Sequence, residues 1–398
     1  MLSVQNIAAM VDANREEALA FFQQCVRTPS VTGSEAAMGE VVRQFLARQG
    51  FAPQVYEKEP GRPNIVAEWK GARPGPRFVW NGHLDVFPPV AGSPGLYGPW
   101  AGKVADGYLY GRGSVDMKGG VCAAIMATAF LKRMGFSPAG SVLMTWVSDE
   151  ENTGGLGTKY LLEQGLISGD FGIDPEPTHG QVLVSHCGGL NVKVTYRSAA
   201  GHTSIPHPEG ADALEKTVKA AAALMALGRR ISRYSEELGA WSKLSVTMIE
   251  SGNTVNMYPS EGHLVIDRRL VPGETTAEGH RQIREVLDGL RRAHPQADYS
   301  YEYEVLGEYP CLVVDENEPI VRMCLEAYRE VTGKGTAVYR RGGGSDASDI
   351  VGKAGLPMPN FGAGDEEAES THENEKLCLE DYFTFIKVYM RLLVKALS

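Results

Sequence analysis

The spacing of apolar positions changes period several times along the chain. From Asn14 to Cys25 and from Ser34 to Gln49 apolar residues recur every three or four positions, which predicts amphipathic helices. Arg77 to Asn81 is a short apolar run that stops at Gly82 and predicts a buried strand. A glycine-rich turn follows, then an apolar stretch from Gly119 to Met134, long enough for a helix, and a second strand-like run from Ser141 to Ser148. Such alternation predicts an α/β domain with a mostly parallel sheet covered by helices. Around Gly188 the pattern shifts. Leu190–Arg197 alternates as a strand, Asp212–Leu227 reads as a helix, and Lys243–Glu250 and His263–Leu270 read as strands. Thr276–Arg292 is helical and Tyr299–Val305 strand-like. That order, strand-helix-strand-strand-helix-strand, predicts a ferredoxin-like α+β domain at residues 188–306, inserted into the first. Helix Glu318–Thr332, strand Pro357–Phe361 and helix Leu379–Leu397 then complete a discontinuous first domain, residues 1–187 and 307–398.

Composition narrows the class of function. With 398 residues the chain can bury two cores. A formal charge of -10 without a Lys/Arg stripe argues against nucleic acid. The N-terminal stretch lacks a leading positive charge and is broken by Asp12 and Arg15, so it does not read as a secretory signal, and no apolar run is long enough to span a bilayer. Six scattered cysteines without C-x-x-C pairing read as reduced thiols of a cytoplasmic protein.

Several acidic and imidazole groups fall where strands end and loops converge, the usual place for a site in an α/β sheet. His83 and Asp85 stand in Gly82-His83-Leu84-Asp85, just after the first apolar strand, and a carboxylate at that spacing can fix the imidazole tautomer. Asp116 sits in the turn Gly111–Gly120 that opens the long helix. Asp149-Glu150-Glu151 follows the next strand; neighbouring side chains diverge, so one carboxylate can face a metal and the other a bound water. Glu176, with Asp174 as a competing ligand, and His372 complete the set. Taken singly, each has a plain structural reading: a semi-buried histidine, an N-cap aspartate, a solvated acidic turn. Together, Asp, Glu and His ligands without cysteine suit a hydrolytic metal centre with open positions for water. Three ligating carboxylates against two divalent ions leave a single positive charge, which one hydroxide balances, and this favours two metals over one.

At these residues the chain resembles the zinc-dependent aminoacylase and carboxypeptidase family that includes acetylornithine deacetylase, succinyl-diaminopimelate desuccinylase and glutamate carboxypeptidase. The motifs run in order over nearly the whole chain: G-H-x-D at 82–85, G-R-G-x-x-D-M-K-G-G at 111–120, D-E-E at 149–151, E-P-T at 176–178, G-H at 201–202, G-G-G-S-D at 342–346, and His372. The resemblance implies that Asp116 bridges two zinc ions, for which cobalt or manganese could substitute. His83 and Glu176 would complete one site and Glu151 and His372 the other. It further implies that Asp85 orients His83, that Glu150 is the general base, and that the inserted domain is a lid that pairs two chains as a homodimer. His202 would steady the oxyanion, and the backbone of Gly343 and Gly344 would line the pocket. Asn256 and Arg269 would hold the substrate, with Arg268 competing for the place of Arg269; strand alternation lets only one of the two arginines face the pocket. The implied reaction is hydrolysis of the amide of a small N-acyl amino acid, with a dipeptidase or carboxypeptidase of the same mechanism as the alternative. A non-catalytic binding protein on the same fold is the reading from another class. The acidic run Asp365–Glu369 matches no family feature and reads as a solvated charge run.

Overall fold

A strand that is covered on both faces needs an unbroken apolar run, and Phe78, Val79 and Trp80 supply one that is fully buried. In the computed structural model, which describes residues 2–93, 95–208, 210–365 and 372–398, they form the middle of strand Arg73–His83. Ala139–Val147 lies parallel to it, with His83 opposite Val147, and Phe171–Ile173 runs parallel on its other side. Helix Lys118–Arg133 is buried from Lys118 through Leu131, so it is a core helix without a solvent face. Gly120 explains part of its close fit: a Cβ there would stand 1.9 Å from the carbonyl oxygen of Pro175, a contact only glycine avoids. The start of this helix thereby packs directly on the segment that carries Glu176.

The sheet is mixed rather than mostly parallel. Pro63–Lys70 pairs antiparallel with Ala139–Val147, and Gln54–Glu57 pairs antiparallel with Pro63–Lys70. Gln54–Glu57 is a mostly exposed edge strand, and polar edge residues carry no apolar signal. The expected strand Pro357–Phe361 forms only isolated bridges, from Asn360 to Asp174 and to Leu183. Pro357 and Pro359 have no N–H to give to a ladder, although their carbonyls still accept from Gly172 and Asp174. The chain up to Val184, Val313–Tyr339 and Ser345–Ser398 make up this first unit.

The second unit comprises Ser185–Leu312 and Arg340–Gly344. Its sheet is antiparallel, in the order Arg233–Ser235, Ala240–Ser251, Glu261–Leu270, Gly188–Arg197, Tyr301–Tyr309. Helices Ala213–Ile231 and Thr276–Ala293 are capped by Asp212 and Thr275, whose side chains accept the N–H of Glu215 and Glu278. They pack on a core that includes Val192, Val194, Leu264 and Ile266. None of the described helices is long and apolar enough to cross a membrane.

Candidate metal centre

The three parallel strands of the first unit end on the same side, and their carboxyl ends carry most of the acidic residues singled out above. His83 is the last residue of its strand. One strand over, Asp149 adopts a left-handed conformation (φ 73°), tolerable for aspartate, and turns the chain into a short 3-10 helix over Glu150–Asn152. The Asp149 carboxylate holds this turn by accepting the Leu156 N–H at 3.0 Å and the Arg62 guanidinium at 2.8 Å; Arg62 also pairs with buried Glu35. Beyond the third strand, Phe171–Ile173, come Asp174 and Glu176. Asp116 arrives from the turn before the core helix.

These elements bring five of the expected residues together. The Nε2 of His83 lies 3.2 Å from Asp116 Oδ1, 3.5 Å from Glu176 Oε1 and 3.8 Å from Glu150 Oε2. Among the described residues, two sets have ligand atoms within 4.8 Å of one another: His83 with Glu150 and Glu176, and His83 with Asp116 and Glu151. His372 belongs to neither. Its side chain is exposed and lines a small depression with Ser93, Arg112 and Glu373, and the run Glu366–Glu369 that precedes it lies outside the described residues. Glu151 is therefore grouped with Asp116 and His83 rather than with His372. Of the two rivals near the third strand, Glu176 reaches the His83 imidazole, whereas the buried Asp174 stands outside both sets.

The electrostatics fit a cation. Burial raises the pKa of Glu150 well above the ordinary carboxylate range, and the charges of Asp346, Glu151 and Glu176 raise it further against the pull of His83. Glu151 is raised well above its usual value by burial and then by Asp116. Burial lowers the pKa of the His83 imidazole, but Asp116, Glu176 and Glu150 outweigh it and the net shift is well upward. Glu151 Oε1 is buried and has no hydrogen-bond partner among the described residues, an arrangement that a cation would relieve. Oxygen and imidazole donors with no thiolate suit a borderline or hard divalent ion.

Asp85 acts differently from expectation. The Nδ1 of His83 meets the main-chain carbonyl of Asp85 at 2.9 Å, while the nearer carboxylate oxygen is 3.7 Å away. The carboxylate is used elsewhere: Oδ1 accepts the Glu150 N–H at 3.1 Å, and Oδ2 accepts the Glu151 N–H at 3.2 Å and the Thr32 hydroxyl at 2.9 Å. The backbone carbonyl of Asp85 thus meets the imidazole, and its side chain holds the Glu150-Glu151 turn.

In the second unit the structure joins His202 and Asn256. Gly201–His202 pairs with Met257–Tyr258, which sets Asn256 Nδ2 3.2 Å from His202 Nε2. The burial pattern of Glu261–Leu270 separates the two arginines. Arg268 is buried on the helix-covered face, bound to Ser242 at 2.8 Å and Glu274 at 3.4 Å. Arg269 is on the opposite face, partly exposed, with Asp267 and the Tyr309 hydroxyl as partners. Gly343 and Gly344 follow the buried Arg341, and a Cβ at Gly344 would stand 2.7 Å from the Tyr309 ring.

A family model described as peptidase family M20/M25/M40 matches residues 79–395, a span that contains His83, Asp116, Glu150, Glu151, Glu176 and His372. The chain belongs to this family. A succinyl-diaminopimelate desuccinylase of Methylorubrum extorquens is 30% identical over 391 residues, covering 94% of this chain and 97% of that protein. An M20 family metallo-carboxypeptidase from Sulfolobus solfataricus superposes with a TM-score of 0.78 at 18% identity, covering 95% of this chain and 98% of the other. A dinuclear metal-binding M20 peptidase from Bacillus subtilis gives a TM-score of 0.67 at 16% identity, with 97% and 99% coverage. This M20 protein is a metal-dependent hydrolase acting on amide bonds.

Two further residues hold turns of this site without a clear sequence signal: Arg62, bound to Asp149, and Glu375, whose carboxylate accepts the N–H of Val115 and Asp116. Arg62 stands alone in Gly61-Arg62-Pro63 and carries no local signal. Glu375 shares the segment His372-Glu373-Asn374-Glu375 with a candidate ligand, and that proximity was the one available hint. For Asp85, replacement by Asn leaves an amide group facing one of the two backbone N–H donors of the Glu150-Glu151 turn. The expected outcome is a kcat lowered about 10- to 100-fold with little change in KM, checked by steady-state kinetics on protein whose metal content is measured in parallel.

Proposed function

We infer that this M20 hydrolase is a two-metal deacylase of small N-acyl amino acids. The observation that carries the reading is the convergence of His83, Asp116, Glu150, Glu151 and Glu176 at the ends of three parallel strands, beside relatives named as desuccinylases. His83, Asp116, Glu151 and Glu176 would hold the ions, with His372 as the remaining expected ligand. Two divalent cations, zinc or in its place cobalt or manganese, supply Lewis-acid polarisation of the amide carbonyl and an acidified water when bound. Glu150 is the general base: it takes the proton of the attacking water and passes it to the leaving amine. Asp85 keeps Glu150 in place by accepting the Glu150 backbone N–H at its carboxylate. To the second unit, proposed as lid and dimerisation domain, we assign the substrate contacts: Arg269, whose planar fork matches a carboxylate, Asn256, the backbone of Gly343 and Gly344, and His202 at the oxyanion. Pairing of two chains would use its exposed edge, where Leu214, Val218 and Met225 are open to solvent on one helix and Met248 and Ile249 on a neighbouring strand.

The test is a panel. N-succinyl, N-acetyl and N-carbamoyl amino acids are compared with dipeptides and C-terminally extended peptides, each with and without chelator. Chelator-sensitive turnover with the highest kcat/KM on an N-acyl amino acid is expected. Preference for a peptide would replace the deacylase reading by the carboxypeptidase one, and no turnover of any amide would leave only the binding-protein reading.

A further inference from the structure

The turn that carries Asp116 hangs on one side chain from the far end of the sequence. Glu375 is buried, and its Oε1 accepts the backbone N–H of Val115 at 2.9 Å and of Asp116 at 3.2 Å. Its Oε2 takes the Arg112 guanidinium at 2.6 Å, and its main-chain carbonyl accepts the Gly111 N–H at 2.9 Å. Four features of the Gly111–Asp116 turn, two amides, one guanidinium and the entering N–H, therefore converge on a residue three positions beyond His372. A buried carboxylate is costly unless its lone pairs are met, so the turn and Glu375 are mutually dependent. The arrangement repeats what Asp85 does for Glu150 and Glu151: a buried carboxylate clamps two successive amides of a turn that presents acidic side chains to the centre.

We propose that Glu375 is a positioning residue that sets the Asp116 carboxylate for the metal ions by clamping the amides of its turn. This rests on the metal-hydrolase reading of the site. It also ties the segment beginning at His372 to the turn of Asp116, so that the two candidate ligands share one anchor although they are far apart in sequence. Glu375→Gln preserves volume but turns an amide NH2 toward either the guanidinium or the two N–H donors, so one side of the clamp is lost. Glu375→Ala removes both.

The experiment measures zinc affinity of the full-length chain by chelator competition, and site geometry by the visible spectrum of cobalt-loaded protein. Glu375→Gln is expected to weaken zinc binding about tenfold and Glu375→Ala up to about 100-fold, with shifted cobalt bands in both. Excess metal restores part of kcat, and KM stays near that of the natural chain. A purely structural role would lower the melting temperature of the metal-free protein and leave affinity and cobalt spectrum unchanged wherever the variant is folded; that result overturns the proposal. Should the Ala variant fail to fold, the isosteric Gln variant decides. A natural chain that binds metal but cleaves no amide would defeat the hydrolase reading alone, since the affinity comparison still tests Glu375, whereas a natural chain that binds no divalent ion would overturn both.

Discussion

Glu150→Gln is expected to lower kcat by about 10²- to 10⁴-fold while metal content and KM stay close to those of the natural chain. The substitution keeps the shape and the backbone N–H bond to Asp85 Oδ1, so the turn should hold. What it removes is the capacity to accept a proton. Glu150 is placed for that task by the Asp85 carboxylate, which accepts its backbone N–H at 3.1 Å, and its Oε2 stands 3.8 Å from His83 Nε2, beside the candidate ligands. Glu151→Gln is the informative contrast. It removes a group that lies with His83 and Asp116 and whose buried Oε1 has no hydrogen-bond partner among the described residues, so metal content should fall together with kcat. Stopped assays with metal analysis on both variants separate a base from a ligand. A Glu150→Gln variant that retains kcat within tenfold, or that loses metal as Glu151→Gln does, would reverse the two assignments.

The grouping of the candidate residues was more legible in the sequence than the sheet around it. His83, Glu150 and Glu151 were readable because an apolar run that halts at a polar cluster marks a strand end, and parallel strands gather such ends on one side. The strand Glu261–Leu270 was equally readable, since period-two alternation forces Arg268 and Arg269 onto opposite faces. Alternation could not say which of the two is buried; the contacts with Ser242 and Glu274 decide that, and neither is a sequence neighbour of Arg268. The mixed sheet was not readable, because the antiparallel partners Gln54–Glu57 and Pro63–Lys70 are distinguished by long-range pairing and not by local pattern. The contacts of Asp85 were half legible. Its spacing from His83 suggested contact, but backbone geometry hands the imidazole to the main-chain carbonyl and frees the carboxylate for the next turn. Arg62 and Glu375 act on turns dozens to hundreds of positions away, and nothing in a single sequence marks such a pair.

Stripping the metal with chelator should abolish turnover, and the resulting loss of stability should grow with pH. In the metal-free fold Glu150, Glu151 and Asp174 all have pKa values well above the ordinary range, burial being the largest cause for each, and Asp346 is pushed up to about 7 by burial. A carboxyl whose pKa is higher folded than unfolded binds its proton more tightly in the native state. Its contribution is therefore favourable at acidic pH and is lost as pH rises from the ordinary carboxylate range through the raised value. Metal binding displaces those protons, so the cation stabilises more at pH 8 than at pH 6. At a thousandfold excess over Kd a single bound ion adds about 4 kcal/mol, a shift on the order of 10 °C in melting temperature for a domain of moderate size. The measurement is the difference in melting temperature between zinc-loaded and stripped protein at each pH, in which titrations away from the centre cancel. The gap is expected to widen steadily from pH 6 to pH 8. A gap that stays constant or narrows would mean that the acidic groups around His83 are already ionised without a cation, and that repulsion among them is not what the metal relieves.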